Sequence, residues 1–497
     1  MHHSLTQRLL FIARSMIIAL LCITMQGCVK HSYIAEPINT DLVLNEINSW
    51  SIDNAGLNQF LQLNGVSAEE VNSDTFSIKR LYLTSLYYDP AMQVAYKKWK
   101  KALIIAEHTD YKINPEFSIP LEHHSESSAG QSEWTIGLVL SFIYERKGKR
   151  EARQAKAEVE LFNAKLAINK LAFERYGEFE EKYHAFQLAK AKIIETKNEV
   201  DVLKELAEQL QKKYELGAVN QFELSTNKLE LQRSLFQLTL LKNSLQENED
   251  DLMAMTHLVH SELDDIELEY ISPFSFINEA YQQSLFIDAS FSSLQKSMLD
   301  NHLDMAIQLN NYAQAEAELR LDIEKQYPDL VLSPGFLFDQ SDYIWSLAAS
   351  WVLPLFKNTE QNLNILKALE ERKIKQQEIT VLQKELLSML YIKHKSIVRH
   401  KALIEVSDEI IESIEQRAKE IESQVELGGV DSVVVLRNKI EFYKARQAQI
   451  DVYSEAVNAL LEIEHLLQSS HADMDIKNVV ESWLELLEEK NNVKAVN

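Results

Sequence analysis

The stretch YELGAVNQFELSTNKLELQ, Tyr214 to Gln232, has an echo in VELGGVDSVVVLRNKIEFY, Val425 to Tyr443. Both contain Glu-Leu-Gly, and both contain Asn-Lys-apolar-Glu beginning ten residues after the Gly. Gly217 maps to Gly428 and Asn227 to Asn438, an offset of 211 residues. Nearly the same offset carries Tyr144 to Phe356 (212) and Pro115 to Pro328 (213). A chain that repeats its landmarks in order folds as two similar units, and those units have to pack against each other.

Within each unit the hydrophobic period changes. INPEFSIPLEHH and SEWTIGLVLSFIY alternate apolar with other residues, as do YPDLVLSPGFLF and YIWSLAASWVLPLF. With SESSAGQ and DQSD as turns, they predict two β-hairpins, at about 113–144 and about 329–356. Trp134, Phe142, Tyr144, Phe336, Phe338, Tyr343, Trp345 and Trp351 fall in these hairpins. They read either as strand pairs of a soluble core or as a lipid-facing barrel wall with interfacial aromatics. An open sheet edge cannot face lipid, so a barrel built from two hairpins needs several copies of the chain.

The hairpins feed long stretches without Pro. There is none between Pro120 and Pro273, and none after Pro354. From Glu145 to about Lys212, and from Lys357 to about Ser423, the composition predicts helices reaching on the order of 100 Å. After Gly217, the residues Leu224, Leu231, Leu238, Leu245 and Leu252 recur every seven, with Leu235 and Leu241 between them. After Gly428, the residues Leu436, Tyr443, Ile450 and Val457 do the same, with Tyr453, Leu460 and Leu467 as a second seam. These are the heptads of packed helices. The expected class is mainly α with a β part: a duplicated strand hairpin followed by long coiled-coil helices.

Composition agrees. In 497 residues, Gly (11) and Pro (8) are scarce and charged residues reach 25%, which favours helix. A net charge of −24 argues against a nucleic-acid partner. Arg8 and Arg14 precede the short apolar run MIIALLCIT, Met16 to Thr24, which predicts a signal peptide over 1–27. Gly27-Cys28 at its end resembles a bacterial lipoprotein cleavage site; the two readings are a lipid on Cys28, or ordinary cleavage nearby with Cys28 unmodified. Removing 1–27 takes away two Arg and no acid, so −24 becomes −26. Cys22 leaves as well, and one Cys can form no internal disulfide.

From about Leu81 to Leu467 the chain resembles the outer membrane efflux protein family, the TolC-like channels. Asp89-Pro90 with Ala91 and Ala95 resembles that family's Asn-Pro-x-x-x-Ala opening. YPDLVLSPGF and WVLPLF resemble its second-half strand start and its exit into the long helix, and the Glu-Leu-Gly phrases resemble its hairpin tips. The chain departs from the pattern with Ser-Phe-Ile-Tyr and ERKGKR in the first half, and with Asn227 and Asn438 where the family usually has Ala. The resemblance implies a trimer in the outer membrane. Four strands from each copy close a twelve-stranded β-barrel, continued across the periplasm by an α-helical tunnel. It makes Leu216, Gly217, Leu427, Gly428 and Gly429 the helix-hairpin tips that dock a periplasmic adaptor of an inner-membrane pump. Gly217 and Gly428 suit a reversal that needs positive φ. The expected organisation is a periplasmic segment at 28–80, a first repeat at 81–270 with its tip near 217, and a linker at 271–294. A second repeat follows at 295–470 with its tip near 428, then a tail at 471–497.

No catalytic constellation, cofactor motif or metal set stands out. His257 and His260, three apart, read as a solvated helix end rather than as metal ligands. His123 and His124, adjacent in a strand, face opposite ways. Glu178 and Glu180-Glu181 read as a solvated helix face. Asp431, three residues after Gly428, is either one member of an acidic ring at a periplasmic gate or a helix N-cap. The expected function is the outer-membrane channel subunit of a tripartite efflux or type I secretion system. The alternative is a lipid-anchored periplasmic coiled-coil scaffold, which has no use for four aromatic strands.

Overall fold

The computed structural model describes residues 33–126, 130–259, 262–263, 266–272, 274, 290–352, 360–468 and 474–496. The signal peptide and Cys28 lie outside them, as do His260, Pro354 and Phe356. The chain divides into two units, up to Ser49 and from Trp50 onward. In the first, α1 (Thr40–Ile47) is capped by Asn39, whose side chain accepts from the Asp41 and Leu42 amides, and none of its residues is buried.

The second unit holds the repeat. Its first half runs α2 (Ala55–Leu63), α3 (Ala68–Val71), β1 (Thr75–Phe76), α4 (Ile78–Tyr88), α5 (Pro90–His108), β2 (Glu116–Ser118), β3 (Leu121–His123), β4 (Trp134–Tyr144), α6 (Lys147–Glu215) and α7 (Gln221–Ala254). Its second half runs β5 (Glu267–Leu268), α8 (Phe291–Asn301), α9 (Leu303–Glu324), β6 (Leu330–Asp339), β7 (Asp342–Ser350), α10 (Glu360–Glu426), α11 (Ser432–Leu467) and α12 (Ile476–Val496). The order α4-α5-strands-α6-α7 recurs as α8-α9-strands-α10-α11, down to the caps. Ser77 accepts from the Arg80 amide to start α4, and Ser290 accepts from the Ser293 amide to start α8. Asp89 and His302 cap α5 and α9. At 69 residues α6 is about 100 Å long, a length open to it because no Pro interrupts it.

Neighbouring helices pack in the order α7, α6, α11, α10, with α9 against both α6 and α10. Leu224, Leu238 and Leu252 of the first heptad are buried, as are Leu436, Ile450 and Val457 of the second. Leu235, read from its spacing as a filler of the same packing, is instead 40% exposed.

The segments before Leu81 and after Ser470, which carry no legible signal in sequence, complete the largest core. Phe60 of α2, Tyr82 of α4, Phe179 of α6 and Trp483 of α12 are fully buried in it. Arg80 is buried too. Its guanidinium donates to the carbonyls of Glu70 (2.7 Å), Ser73 (2.5 Å) and Val71 (2.8 Å) and lies 3.6 Å from the Phe76 ring centre. Three carbonyls on its two terminal nitrogens offset much of the cost of burying the charge, while Nε has no partner among the described residues.

Candidate functional site

Two places in the repeat carry chemistry that packing within one chain does not explain: the sheet and the helix turns. In the sheet, β2 and β3 form one strand interrupted at Pro120. The register is the same on either side, Ser118 facing Val139 and Leu121 facing Ile136. The Pro120 carbonyl still accepts from the Gly137 amide (3.0 Å) and only the missing N–H breaks the ladder. β4 pairs with β6 from Ile136–Phe338 to Tyr144–Leu330, which fuses the two hairpins into one antiparallel sheet. β6 turns into β7 at Gln340 (φ 43°) and Ser341 (φ 77°), the two positive φ values of a type I′ turn.

Register sorts the side chains onto two faces. One carries Phe117, Ile119, Leu121, Trp134, Ile136, Leu140, Phe142, Tyr144, Phe336, Tyr343, Trp345 and Leu347. Here Phe336 stacks on Tyr343 and His123 meets Trp134 edge-on, with ring centres 4.6 Å apart. The other mixes Ser118, Glu122, Thr135, Ser141, Ser333, Asp339 and Ser346 with Val139, Ile143, Val331, Leu337 and Ile344. On that face the Ser141 and Ser333 hydroxyls meet at 2.8 Å, and His124 Nε2 lies 2.8 Å from Thr135 Oγ1 and 3.1 Å from Asp339 Oδ1. The two adjacent histidines therefore do face opposite ways. Among the described residues nothing covers the apolar face. Trp345 is 82% exposed, every residue of β7 is exposed, and among the described residues both outer strands leave an unpaired edge. Among the described residues no helix is long and apolar enough to cross a membrane.

At the far ends of the long helices, the echoed phrase is a matched stop and start. At Gly217 (φ +71°) the Gly217 amide donates to Tyr214 O (2.9 Å) and the Ala218 amide to Lys213 O (2.8 Å). At Gly428 (φ +73°) the Gly428 amide donates to Val425 O and the Gly429 amide to Gln424 O, both at 2.9 Å. Both are Schellman turns with Gly at the left-handed position. Three residues on, Asn220 caps α7 by accepting from the Glu223 amide (2.9 Å), and Asp431 caps α11 by accepting from the Val433 amide (3.1 Å). Asp431 thus has the cap geometry, and its other carboxylate oxygen pairs with Lys213. Leu216 and Leu427, the residues before each Gly, are 83% and 84% exposed.

Between the turns and the core, a row of polar contacts joins the first hairpin to α11. Lys192 pairs with Asp451, Arg446 with Glu195 (3.5 Å), and Gln447 Nε2 donates to Glu199 (2.6 Å). Nearer the tips Arg437 pairs with Glu223 and Lys444 with Glu230.

Two sequence readings change. Glu180 is buried at the α6–α11 seam rather than solvated. Its carboxyl is pushed up to about 8, first by burial and then by Glu464 across the seam, against a Tyr176 hydrogen bond that lowers it. Gly177, one turn before, has no side chain, and the His465 ring occupies the space a Cβ would need. His257, past the end of α7, is half-buried, and burial lowers its pKa while Asp89 opposes the shift. Among the described residues no group of three or more His, Cys, Asp or Glu is placed to hold a metal ion.

No family model matches the sequence, and no curated protein matches it either. Solved structures do resemble the fold. The outer membrane protein VceC of Vibrio cholerae superposes with a TM-score of 0.61 at 17% identity, over 79% of this chain and 96% of that one. The outer-membrane channel OprN gives 0.62 at 13%, over 89% and 99%. The CmeC outer membrane channel of Campylobacter jejuni gives 0.57 at 12%, over 93% and 98%. These neighbours are channel proteins rather than enzymes.

Proposed function

We propose, with the fold of the TolC-like outer membrane efflux channels as premise, that this chain is the outer-membrane channel subunit of a tripartite efflux or type I secretion assembly. Three copies close a twelve-stranded barrel in the outer membrane, and the long helices continue it as a tunnel into the periplasm. The observation that carries the reading is the sheet. Among the described residues it has an uncovered apolar face rich in aromatics, an opposite face that mixes polar with smaller apolar side chains, and strands of 9 to 11 residues at β7, β6 and β4, the length a tilted strand needs to cross a bilayer. Its two unpaired edges require partners before it can sit in lipid. The scaffold reading leaves that face without a purpose.

In this assembly Leu216-Gly217 and Leu427-Gly428-Gly429 face the periplasmic adaptor of an inner-membrane pump, and Cys28 carries a lipid. Asp431 contributes to the electrostatics of the gate alongside Lys213 rather than as a lone acid. The test is amine cross-linking and sedimentation of detergent-extracted protein, followed by planar-bilayer recording. A three-copy species that conducts is expected. A monomer that stays with the soluble fraction overturns the reading.

A further inference from the structure

The internal repeat contains a template for contacts between copies. Shifting the first repeat onto the second carries α6 to α10 and α7 to α11. In a closed ring of repeats, the same shift carries the second repeat onto the first repeat of the next copy. The α6–α11 contact inside one chain therefore maps to a contact between α10 and the next copy's α7. α7 and α10 are the outermost helices of the packing order α7, α6, α11, α10.

We infer that the copies join through an apolar seam in which Leu403, Val406 and Ile410 of one chain pack on Leu240, Leu235 and Phe236 of the next. This rests on the channel reading above and gives it a register. At the offset of 211 residues, Lys192 maps to Leu403 and Asp451 to Leu240. The pair Glu195–Arg446 maps to Val406 and Leu235, and the pair Glu199–Gln447 maps to Ile410 and Phe236. Three polar contacts seen within the chain thus each become an apolar pair between chains. All six of these apolar residues are exposed in the single chain, from 40% for Leu235 to 65% for Phe236. Rows of exposed apolar side chains on two helices are otherwise an aggregation hazard, and each row supplies what the other lacks. A second copy of this chain is the occupant because the repeat already places the equivalent surfaces together once. Nearer the tips the Glu230–Lys444 pair maps to Glu441 and the next copy's Arg233, which retains opposite charges.

The test is register-specific cross-linking in membranes. One full-length variant carries Leu240→Cys with Leu403→Cys. A second carries Leu240→Cys with Ile410→Cys, displaced seven residues or about 10 Å along the helix. The parent, which retains Cys28, is the control, and the reagent is a thiol-to-thiol cross-linker reaching about 8 Å. The first variant should give two- and three-copy bands; the displaced variant and the parent should give few or none. If amine-reactive reagents capture the oligomer but the displaced pair links as well as or better than the first, or neither pair links, the seam is wrong although the channel reading stands. If no reagent captures an oligomer of any variant or of the parent, both fail.

Discussion

Asn227 and Asn438 are the same residue of the repeat in two different states. Both are buried. Asn438 Oδ1 accepts from Arg417 Nε at 2.7 Å, whereas neither amide atom of Asn227 finds a hydrogen-bond partner among the described residues. The offset explains the difference, because the position equivalent to Arg417 is Leu206. A buried unsatisfied amide is costly, so Asn227→Leu should stabilise the chain by about 1 kcal/mol, while Asn438→Leu should destabilise it by a similar amount. Urea midpoints of the detergent-extracted protein decide this, and equal shifts for the two variants would contradict it. Glu180 gives a second prediction. Its folded pKa of about 8 lies above the ordinary 4.5, so between those values the folded chain holds a proton that the unfolded chain has released. Stability from this group is full below pH 4.5 and is lost as pH rises through 8. Glu180→Gln should flatten the fall in thermal stability between pH 5 and pH 9; an unchanged slope would refute the assignment. The echo in sequence exposed the Asn pair. Nothing in sequence marked Glu180 as buried, since one acid in an acidic helix looks the same on either face.

The helix turns show how much of an element can be read before its structure is known. Glu-Leu-Gly followed three residues later by Asn or Asp is a stop signal and a start signal in one phrase, and both turns obey it. Nothing lies within 4 Å of a Cβ built on Gly217 or Gly428, so an alanine there meets no clash and suffers only the left-handed conformation. Gly217→Ala and Gly428→Ala should each cost about 1 kcal/mol. Leu216→Lys with Leu427→Lys should cost under about 0.5 kcal/mol, because both side chains are already in solvent. That double variant should nonetheless lose export and adaptor cross-linking while its yield in the outer membrane stays normal. Export retained with the adaptor bound would reduce the tips to plain turns. The strands were legible from their period of two, yet period alone cannot say which face is covered. Likewise the heptad located Leu235 on α7 but not the helix it meets, because a stripe packed by its own chain and a stripe awaiting a copy have the same spacing.

At the scale of the whole molecule, duplication was the most readable feature, and it fixed the order of elements without help from composition. The packing of α12 on α6, and of α2 on α4 and α12, was not readable, since α2 and α12 lie outside the repeat and carry no echo to align. The repeat also has a consequence for how such a ring diverges. Six identical single-repeat chains would have to use one set of residues at every joint. A fused pair is free of that symmetry: a substitution on α11 alters the joint inside the chain and leaves the joint to the neighbour as it was. Here the inner joint adds the ion pairs Lys192–Asp451 and Glu195–Arg446 to its apolar packing, where the outer one places Leu403, Leu240, Val406 and Leu235. Ionic strength acts on the first kind and hardly on the second. Raising salt should speed hydrogen exchange around Lys192 and Arg446 more than around Leu403 and Leu240, so that one solvent variable tells the two joints apart.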